Sequence, residues 1–202
     1  MGKIFVLIGP SCSGKDTILK SIKENTDLIP LVLYTTRPMR NDEVNGETYN
    51  FITRQQYNEI RDKGHVLEKR EFETTKGNWL YATCDLNMDL ENYNYITTNS
   101  LEGYQKLKSN AKIIDSVIPL YISVSKKNRM ERAVKREAKE ETPNYEELCR
   151  RFLADANDFS PIKIEGAQIP EDCIFDNNGD INDTISNLIE KINKELNKNR
   201  TR

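Results

Sequence analysis

Hydrophobic and polar positions change their spacing along the chain, and the changes predict alternating strands and helices. Residues 4–8 form a continuous apolar run that is followed at once by Gly9. Such a run is typical of a buried parallel strand that ends in a loop. After residue 15 the apolar positions take a helical spacing, at Ile18, Leu19 and Ile22. The first unit is therefore predicted to be a strand, a glycine-containing loop and a helix.

The rest of the chain continues this alternation. Thr53 with Gln56 resembles a capping box that begins a short helix, and Ser125 is a good N-cap for a helix through Val134. Periodic apolar positions predict two more helices, at 145–159 and 181–196. Further strands are expected at 31–35, 49–52, 65–67, 80–83, 94–97, 119–123 and 173–175. Strands that alternate with helices predict an α/β fold with a parallel sheet covered on both faces.

Composition and charge exclude several classes of protein. The chain of 202 residues has 37% hydrophobic and 31% charged residues, which suits a domain with a real core. Its net charge of -2 gives no basic surplus, so we expect neither a nucleic acid nor a membrane as partner. The start of the chain has no signal-like apolar segment, and the four cysteines form no CxxC pair. A cytoplasmic location is therefore expected, without a disulfide framework or a zinc site.

The first candidate site is a phosphate loop between the first strand and helix. Glycines let the backbone wrap a phosphate, the helix N-terminus adds partial positive charge, and the lysine bridges the terminal phosphates. An ordinary glycine turn before a helix is the alternative. The loop matches G-x-x-x-x-G-K and comprises Gly9, Pro10, Ser11, Cys12, Ser13, Gly14 and Lys15. It predicts ATP binding.

The residue after the lysine departs from the usual pattern. A serine or threonine there normally ligates Mg²⁺ through its hydroxyl group. Here Asp16 takes the position and Thr17 follows it. A carboxylate is a good Mg²⁺ ligand, so we expect Asp16 to act on the metal, directly or through water. The alternative is that Asp16 only stabilises the helix dipole.

A second constellation lies in the polar stretch that begins after the second expected strand. Arg37, Arg40 and Tyr49 could converge on one phosphate, with two guanidinium groups and a phenol as donors. An acceptor phosphate must be held still and partly neutralised before it attacks another phosphate. The alternative is a solvated charged loop.

The stretch from Tyr34 to Phe51 resembles the guanylate kinase signature S-T-T-R-x-x-R-x-x-E-x-x-G-x-x-Y-x-F, and the opening Gly9-Pro10-Ser11 is also typical of that family. The resemblance extends to about residue 177. It implies a three-layer α/β/α P-loop NTPase fold with a core at 1–35, 93–128 and 160–197, an acceptor-binding insert at 36–92 and a helical lid at about 129–159. It also implies that ATP phosphorylates a nucleoside monophosphate, GMP or dGMP, in a monomer or homodimer.

The resemblance assigns acceptor-binding roles in the insert. Glu68 would accept hydrogen bonds from the guanine N1–H and 2-amino groups, Tyr81 would bond the acceptor phosphate, and Thr83 would face guanine O6. A surface strand is the alternative for Glu68 and Thr83. Tyr34 replaces the first serine of the signature, and we expect it to stack on the base or fill part of its pocket. The implied acceptor set is Tyr34, Arg37, Arg40, Glu43, Tyr49, Glu68, Tyr81, Thr83 and Ser100.

Further departures lie where the family carries D-x-D before a Gln-Gly pair. This chain reads Thr98-Asn99-Ser100 there, with both acids missing. One of those acids helps to hold guanine and the other lies near the metal. Phosphate handling is thus predicted to be intact, while guanine selection is eroded.

Arginines flank the charged segment 137–142, which lies within a stretch, 135–143, that we expect to be mobile. In the resembled family a lid delivers arginines to the phosphates, and Arg132, Arg136 and Arg151 fit those positions. A solvent-facing charged helix is the alternative. With Lys15 and Arg37, these three arginines make the implied catalytic set.

Two other functions are open on the sequence alone. A ribose 1,5-bisphosphokinase has a P-loop with the same G-K-D run, but residues 43–51 look like the nucleotide kinase. A non-catalytic guanylate-kinase-like binding module typically loses the P-loop lysine, whereas Lys15 is present here.

Overall fold

The computed structural model describes residues 1–40, 43–74 and 77–198; Asn41 and Asp42 of the signature stretch thus lie outside the described residues. The strands are β1 (Ile4–Ile8), β2 (Ile29–Pro30), β3 (Tyr34–Thr35), β4 (Asn50–Phe51), β5 (Val66–Thr74), β6 (Gly77–Cys84), β7 (Tyr95–Asn99), β8 (Val117–Ser123) and β9 (Ile174–Asp176). The helices are α1 (Lys15–Asn25), α2 (Arg54–Asp62), α3 (Leu101–Lys108), α4 (Lys126–Glu137), α5 (Tyr145–Asp158), α6 (Pro161–Gly166) and α7 (Ile181–Lys198).

The central sheet is parallel and has the strand order β2-β7-β1-β8-β9. Its middle strand shows how the layers form, because alternate residues point to opposite faces. Ile4, Val6 and Ile8 pack in one cluster with residues of α3, whereas Phe5 and Leu7 pack with residues of α1 and α7. All five side chains are buried. The predicted three-layer α/β/α fold is confirmed.

A second sheet of order β4-β3-β6-β5 carries the residues expected to bind the acceptor. Its β3–β6 and β5–β6 pairs are antiparallel and its β3–β4 pair is parallel. One face of this sheet is covered by α2, where Tyr57 packs on Leu80, Ala82 and Cys84. The other face is therefore free to form a site.

Local signals predicted helix starts well. Thr53 accepts a hydrogen bond from the Gln56 amide and the Gln56 side chain accepts one from the Thr53 amide, which confirms the capping box. Ser125 caps α4 by accepting from the Asn128 amide. Helices α3 and α6 were not predicted.

The expected strand at 31–35 is confirmed only at Tyr34–Thr35, because residues 31–33 lie outside a strand. Residues 29–30 pair with β7 in the central sheet, but residues 34–35 pair with β4 and β6 in the second sheet. The chain leaves one sheet for the other within this apolar run, and apolar spacing alone does not distinguish the two. Helix α4 continues to Glu137 and so includes the start of the charged segment 137–142.

Among the described residues, none of the helices combines the length and the apolar character that crossing a membrane requires.

Candidate active site

The phosphate loop turns from β1 into α1 through a tightly packed backbone. A Cβ atom on Gly9 would lie 2.8 Å from Ser13 Oγ and 2.9 Å from the Ile122 carbonyl oxygen. Gly14 has φ of 96° and Cys12 has φ of 61°, both in the left-handed region. Glycine is thus required at position 9 by close approach and favoured at 14 by conformation.

Lys15 folds back over the loop. Its Nζ donates hydrogen bonds to the carbonyl oxygens of Gly9 at 2.6 Å and Pro10 at 2.9 Å. Burial lowers the pKa of Lys15, while the nearby charges of Asp16 and Asp155 act in the opposite direction. An incoming anionic phosphate would replace the carbonyl partners with stronger, charge-assisted ones.

The back of the loop is braced by Asn177, which is fully buried after β9. Its Nδ2 donates to the Ser13 carbonyl oxygen at 2.8 Å. Its Oδ1 accepts from Thr184 Oγ1, and its own carbonyl oxygen accepts from Arg132 Nη2 at 2.8 Å. These contacts tie the loop to α7 and α4.

A buried ion pair joins the lid helices to the loop. Asp155 Oδ2 on α5 accepts from the Ser11 amide at 2.8 Å and from Arg129 Nη2 at 2.8 Å. Arg129 Nε donates to the Ser11 carbonyl oxygen, and its guanidinium lies 4.9 Å from the Phe152 ring centroid. The lid therefore holds the loop through both backbone polar groups of one residue, Ser11.

The acceptor side is built on one face of the β5–β6 hairpin. A register shift between Val66 and Glu68 places Glu68 opposite Thr83. Arg70 then stands opposite Tyr81, and Phe72 opposite Trp79. Residues directly opposite each other in an antiparallel pair share a face. This face is the one turned away from α2.

Glu68 lies at the centre of a sealed polar network. Its Oε1 accepts from Thr83 Oγ1 at 2.8 Å, from Asn99 Nδ2 at 3.2 Å and from Arg70 Nη2 at 3.2 Å. Its Oε2 accepts from Arg70 Nε at 3.1 Å, and the Glu68 side chain has 0% exposure. Arg70 Nη1 also donates to Ser100 Oγ at 3.0 Å.

Arg37 forms a second buried pair. Its Nη1 and Nη2 donate to the two carboxylate oxygens of Glu43 at 2.9 and 2.6 Å. This hydrogen bonding raises the pKa of Arg37 and lowers that of Glu43. The guanidinium carbon lies 5.5 Å from the ring centroid of Tyr49 and 5.5 Å from that of Phe51.

The phosphate loop with the lid on one side and the β5–β6 hairpin on the other line one cleft of about 560 Å³. The lid side of the wall includes Arg150 and Arg151, and the aromatic side includes Trp79 and Phe72. Other lining residues are Gly9, Ser11, Lys15, Asp16, Leu33, Tyr49, Arg70, Tyr81, Thr98, Asn99, Ser100, Asp155, Asp158 and Phe159. A phosphate loop and a facing aromatic and cationic wall suit a reaction between two phosphate-bearing molecules.

The family model described as guanylate kinase matches residues 1–195 of this chain. The chain belongs to the guanylate kinase family.

Curated relatives agree with this, and a solved structure shares the fold. The chain is 43% identical over 72 residues to a guanylate kinase of Nostoc sp., covering 35% of this chain and 36% of that protein. It is 36% identical over 112 residues to one of Malacoplasma penetrans, covering 53% and 55%. The chain thus spans about a third to a half of the length of these curated relatives. The crystal structure of a guanylate kinase from Anaplasma phagocytophilum superposes with a TM-score of 0.63 at 23% identity, covering 96% of this chain and 86% of that one.

Several of the site residues expected from the sequence do meet in the cleft. Tyr49, Tyr81 and Ser100 line it from the acceptor side, Lys15 and Asp16 from the phosphate loop, and Arg151 from the lid. Arg151 Nη2 lies 3.6 Å from Glu137 Oε2, and Arg151 Nε lies 3.7 Å from Glu147 Oε1. These groups come from separate parts of the chain.

Other guanylate kinase positions are placed differently. Tyr34 does not enter the base pocket, since it stands opposite Ala82 and packs on the α2 side of the sheet. Leu33 lines the cleft in its stead. Glu68 and Thr83 are on the expected face but have no exposed surface to offer a base.

The arginines also depart from the expected convergence. Arg37 is 5% exposed and its guanidinium is paired with Glu43, so it stands behind Tyr49 and does not line the cleft. Arg40 is exposed, and its charge acts on the lid. The hydrogen bond from Arg150 lowers the pKa of Glu147 on the lid, and the charge of Arg40 adds a smaller effect in the same direction.

On the lid, Arg132 bonds the Asn177 carbonyl oxygen, and Arg136 lines a small cavity between α4 and α5. Neither lines the main cleft. Thr17 is exposed on α1 and does not line the cleft either.

Sequence reasoning missed four residues of this candidate site. Arg70 and Asn99 complete the Glu68 network, and Arg129 and Asp155 join the lid to the loop. The i, i+2 spacing of Glu68 and Arg70 on a strand was a usable signal, because such residues share a face. The pairing of positions 129 and 155 carried no local signal.

Proposed function

We propose that this chain transfers the γ-phosphoryl group of ATP to GMP or dGMP, giving ADP and the nucleoside diphosphate. A phosphate oxygen of the acceptor forms the new bond to the γ-phosphorus, and the bond to the ADP oxygen breaks. The observation that carries the proposal is the single cleft that Lys15 and the pair Tyr49 and Tyr81 line from opposite sides. Family membership supplies the substrate class.

The ATP side is proposed to act by charge and position. Amide groups of the loop from Gly9 to Gly14, the α1 N-terminus and Lys15 would hold the terminal phosphates. Arg150 and Arg151 line the same cleft from α5. Closure of the lid would bring their charge onto the transferring group, where charge is spread in the transition state. Arg132 and Arg136 would need a larger rearrangement to contribute.

The acceptor phosphate is proposed to lie between the hydroxyl groups of Tyr49 and Tyr81, whose ring centroids are 5.6 Å apart. Arg37 would act behind them as a positioning cation against the Tyr49 ring. Arg40 would add charge at the exposed edge. No strong base is needed, because positioning and charge neutralisation carry most of phosphoryl transfer.

A magnesium ion fits the residues present. The described residues contain no cluster of three or more His, Cys, Asp or Glu side chains that could hold a metal. Mg²⁺ usually takes only one or two protein carboxylates together with phosphates and water, and Asp16 offers one such carboxylate in the cleft. When bound, the ion would neutralise charge on the phosphate oxygens. Asp16 is the residue proposed to hold it, directly or through water.

A coupled assay of ADP release tests the proposal. GMP and dGMP should stimulate turnover, and ribose 1,5-bisphosphate should not. Lys15→Met should lower kcat by at least about a hundredfold, the scale of losing one transition-state donor. Lys20→Met, on an exposed position of the same helix, is the control and should leave kcat within twofold, or about 0.4 kcal/mol. Binding of ATP without any GMP-dependent ADP release would contradict the proposal.

Two expectations stay predictions. The oligomeric state, monomer or homodimer, is one of them. The other is a cytoplasmic location, for which the free state of Cys12, Cys84, Cys149 and Cys173 is the supporting observation.

A further inference from the structure

The sealed state of Glu68 raises the question of how an acceptor base would be read. A carboxylate can recognise N–H donors only if its oxygens can be reached. The Glu68 side chain is fully buried, and its two oxygens already accept four hydrogen bonds, two from Arg70 and one each from Thr83 and Asn99. It is absent from the lining of the cleft. Glu68 therefore presents no acceptor to a base in this structure.

The network that seals Glu68 is held on several sides. Asn99 is 6% exposed, and its Oδ1 accepts from the Ser100 amide, which fixes the orientation of its own amide group toward Glu68. Gly103 leaves the space that Asn99 fills, since a Cβ there would lie 2.0 Å from Asn99 Oδ1. Release of Glu68 would break these contacts together and leave buried polar groups without partners, which is unfavourable.

Arg70, which bonds Glu68, is a polar side chain that does line the cleft. A guanidinium group has five N–H donors. Three bonds go to Glu68 and Ser100, and no other described residue is hydrogen-bonded to its side chain, which leaves one N–H on each terminal nitrogen. Arg70 lines the cleft, and its guanidinium carbon lies 6.0 Å from the Tyr81 ring centroid. The Arg70 side chain is 7% exposed, so what it can offer a base at the cleft wall is at most this pair of coplanar donors.

Neighbouring groups suit a planar ring. Phe72, Trp79 and Tyr81 line the same part of the cleft, and aromatic side chains of this kind provide stacking surfaces for bases. A guanidinium fork matches the O6 and N7 acceptors of guanine bidentately. Adenine presents an amino donor in place of O6. It would therefore offer only one acceptor, N7, to the two N–H donors of Arg70.

We propose that Arg70 determines acceptor specificity by reading the O6 and N7 edge of a 6-oxopurine nucleotide, and that Glu68 reads no base atom. This rests on the proposed function and names the base-recognition element of that same site. The 2-amino group of guanine then contributes little, so GMP and IMP should be accepted nearly equally. An analogue without N7 should be a poor acceptor.

The wild-type enzyme tests this with GMP, IMP, 7-deaza-GMP and AMP, measured both as kcat/KM and as binding by calorimetry. IMP should lie within about threefold of GMP, because the group that distinguishes them finds no buried partner. 7-deaza-GMP should be about tenfold or more weaker, the scale of one hydrogen bond to a charged donor. AMP should be weaker still. A GMP preference over IMP of tenfold or more, or equal use of 7-deaza-GMP, would overturn the proposal.

Variants of Arg70 add a second measurement, the ratio of GMP to 7-deaza-GMP use, which would not change if Arg70 had only a structural role. Arg70→Lys keeps a cation beside Glu68 but removes the fork, so the penalty for 7-deaza-GMP should disappear while the protein remains folded. Arg70→Lys alters the hydrogen bonds to the buried Glu68 carboxylate, so the double variant Glu68→Gln with Arg70→Gln gives a second, neutral test with the same expected loss of the 7-deaza-GMP penalty. Arg54→Ala, at an exposed pair with Glu71 outside the cleft, is the control and should keep the wild-type ratios.

The outcomes separate the two proposals. Turnover of GMP with strong rejection of IMP leaves the kinase function intact and overturns the role of Arg70. Binding of GMP and IMP with equal affinity, but without turnover, supports the role of Arg70 and contradicts the kinase function. Failure of any purine monophosphate to bind would overturn both.

Discussion

The ion pair between lid and phosphate loop gives a prediction in which stability and ATP affinity change in opposite directions. Asp155 Oδ2 accepts two hydrogen bonds, from the Ser11 amide and from Arg129, both at 2.8 Å. The Arg129 side chain is 5% exposed and the Asp155 side chain 16%, so solvent screens the pair weakly. Asp155→Asn keeps one acceptor oxygen for these two bonds, removes the charge and replaces the other oxygen with an NH2 group.

The expected loss of stability follows from those two bonds. A hydrogen bond to a charged group contributes about 1.5–3 kcal/mol and a neutral one about 0.5–1.5 kcal/mol, so the two bonds together should lose about 2 kcal/mol. For a domain of this size each kcal/mol shifts Tm by about 2–4 °C. The ligand-free variant should therefore melt about 4–8 °C below the wild type.

ATP binding should change in the other direction. The Asp155 carboxylate occupies a loop amide and its charge acts on Lys15, so it opposes an incoming triphosphate. One charge at about 8 Å, with an effective dielectric constant of about 40, contributes about 1 kcal/mol, or about fivefold in Kd. Asp155→Asn should thus bind ATP about fivefold more tightly.

Thermal unfolding without nucleotide and calorimetry with ATP measure the two effects. Asp158→Asn on the same helix is the matched control for stability alone, because Asp158 also lines the cleft. Its carboxylate is 58% exposed and lies 3.5 Å from Lys163 Nζ, so the unfolding free energy of this variant should change by less than about 0.5 kcal/mol. Unchanged melting of Asp155→Asn would show that the buried pair is not formed in solution. Weaker ATP binding would show that Asp155 supports the binding form of the loop, contrary to the reasoning.

Three further predictions concern stability. The hydrogen bond from Arg37 lowers the pKa of Glu43 below its usual value of 4.5. The stability that this pair contributes is present above pH 4.5 and is lost as the pH falls through the folded-state pKa, so Glu43→Gln should flatten the pH dependence in acid unfolding curves. Lys191→Met removes the hydrogen bonds from Lys191 to Asp172 and Glu195, although Glu195 keeps Lys198 as a partner, and should lower the unfolding free energy by about 2 kcal/mol in urea titrations. The exposed Lys194→Met is the control and should change it by less than about 0.5 kcal/mol. Gly14→Ala forces a left-handed alanine with its Cβ 2.8 Å from a buried amide and should cost at least about 1–2 kcal/mol, with Gly179→Ala, which meets no atom within 4 Å, as the control.

The central sheet could be predicted from sequence because its signals are local. A continuous apolar run, a glycine loop and helical spacing follow one another within the first 22 residues. The capping residues Thr53 and Ser125 act on amides three positions away, so they too are visible in a short window. Such signals predict which elements form.

Side-chain facing in the second sheet was harder to predict. The direction of Tyr34 depends on its pairing with Ala82, a partner 48 positions away in the chain. The direction of Glu68 depends on a register shift next to Val66, which no local pattern announced. Because side chains alternate with a period of two, such shifts decide whether a residue faces a cleft or a helix.

The departures from the family pattern are easier to understand as one set than as separate losses. Sequence comparison suggested that a missing acid at Ser100 and an altered residue at Tyr34 erode guanine selection. In the structure Tyr34 belongs to the packing of α2, so a change there would act on stability before it acted on specificity.

Ser100 has a different meaning once Arg70 is taken into account. Its hydroxyl accepts from Arg70 and caps α3 by accepting from the Gly103 amide. An aspartate there would bring a second carboxylate to the Arg70 guanidinium that Glu68 already neutralises. With a serine, the guanidinium keeps donors free toward the cleft, so the absence of the acid and the presence of Arg70 are two parts of one arrangement that favours acceptor atoms on the base.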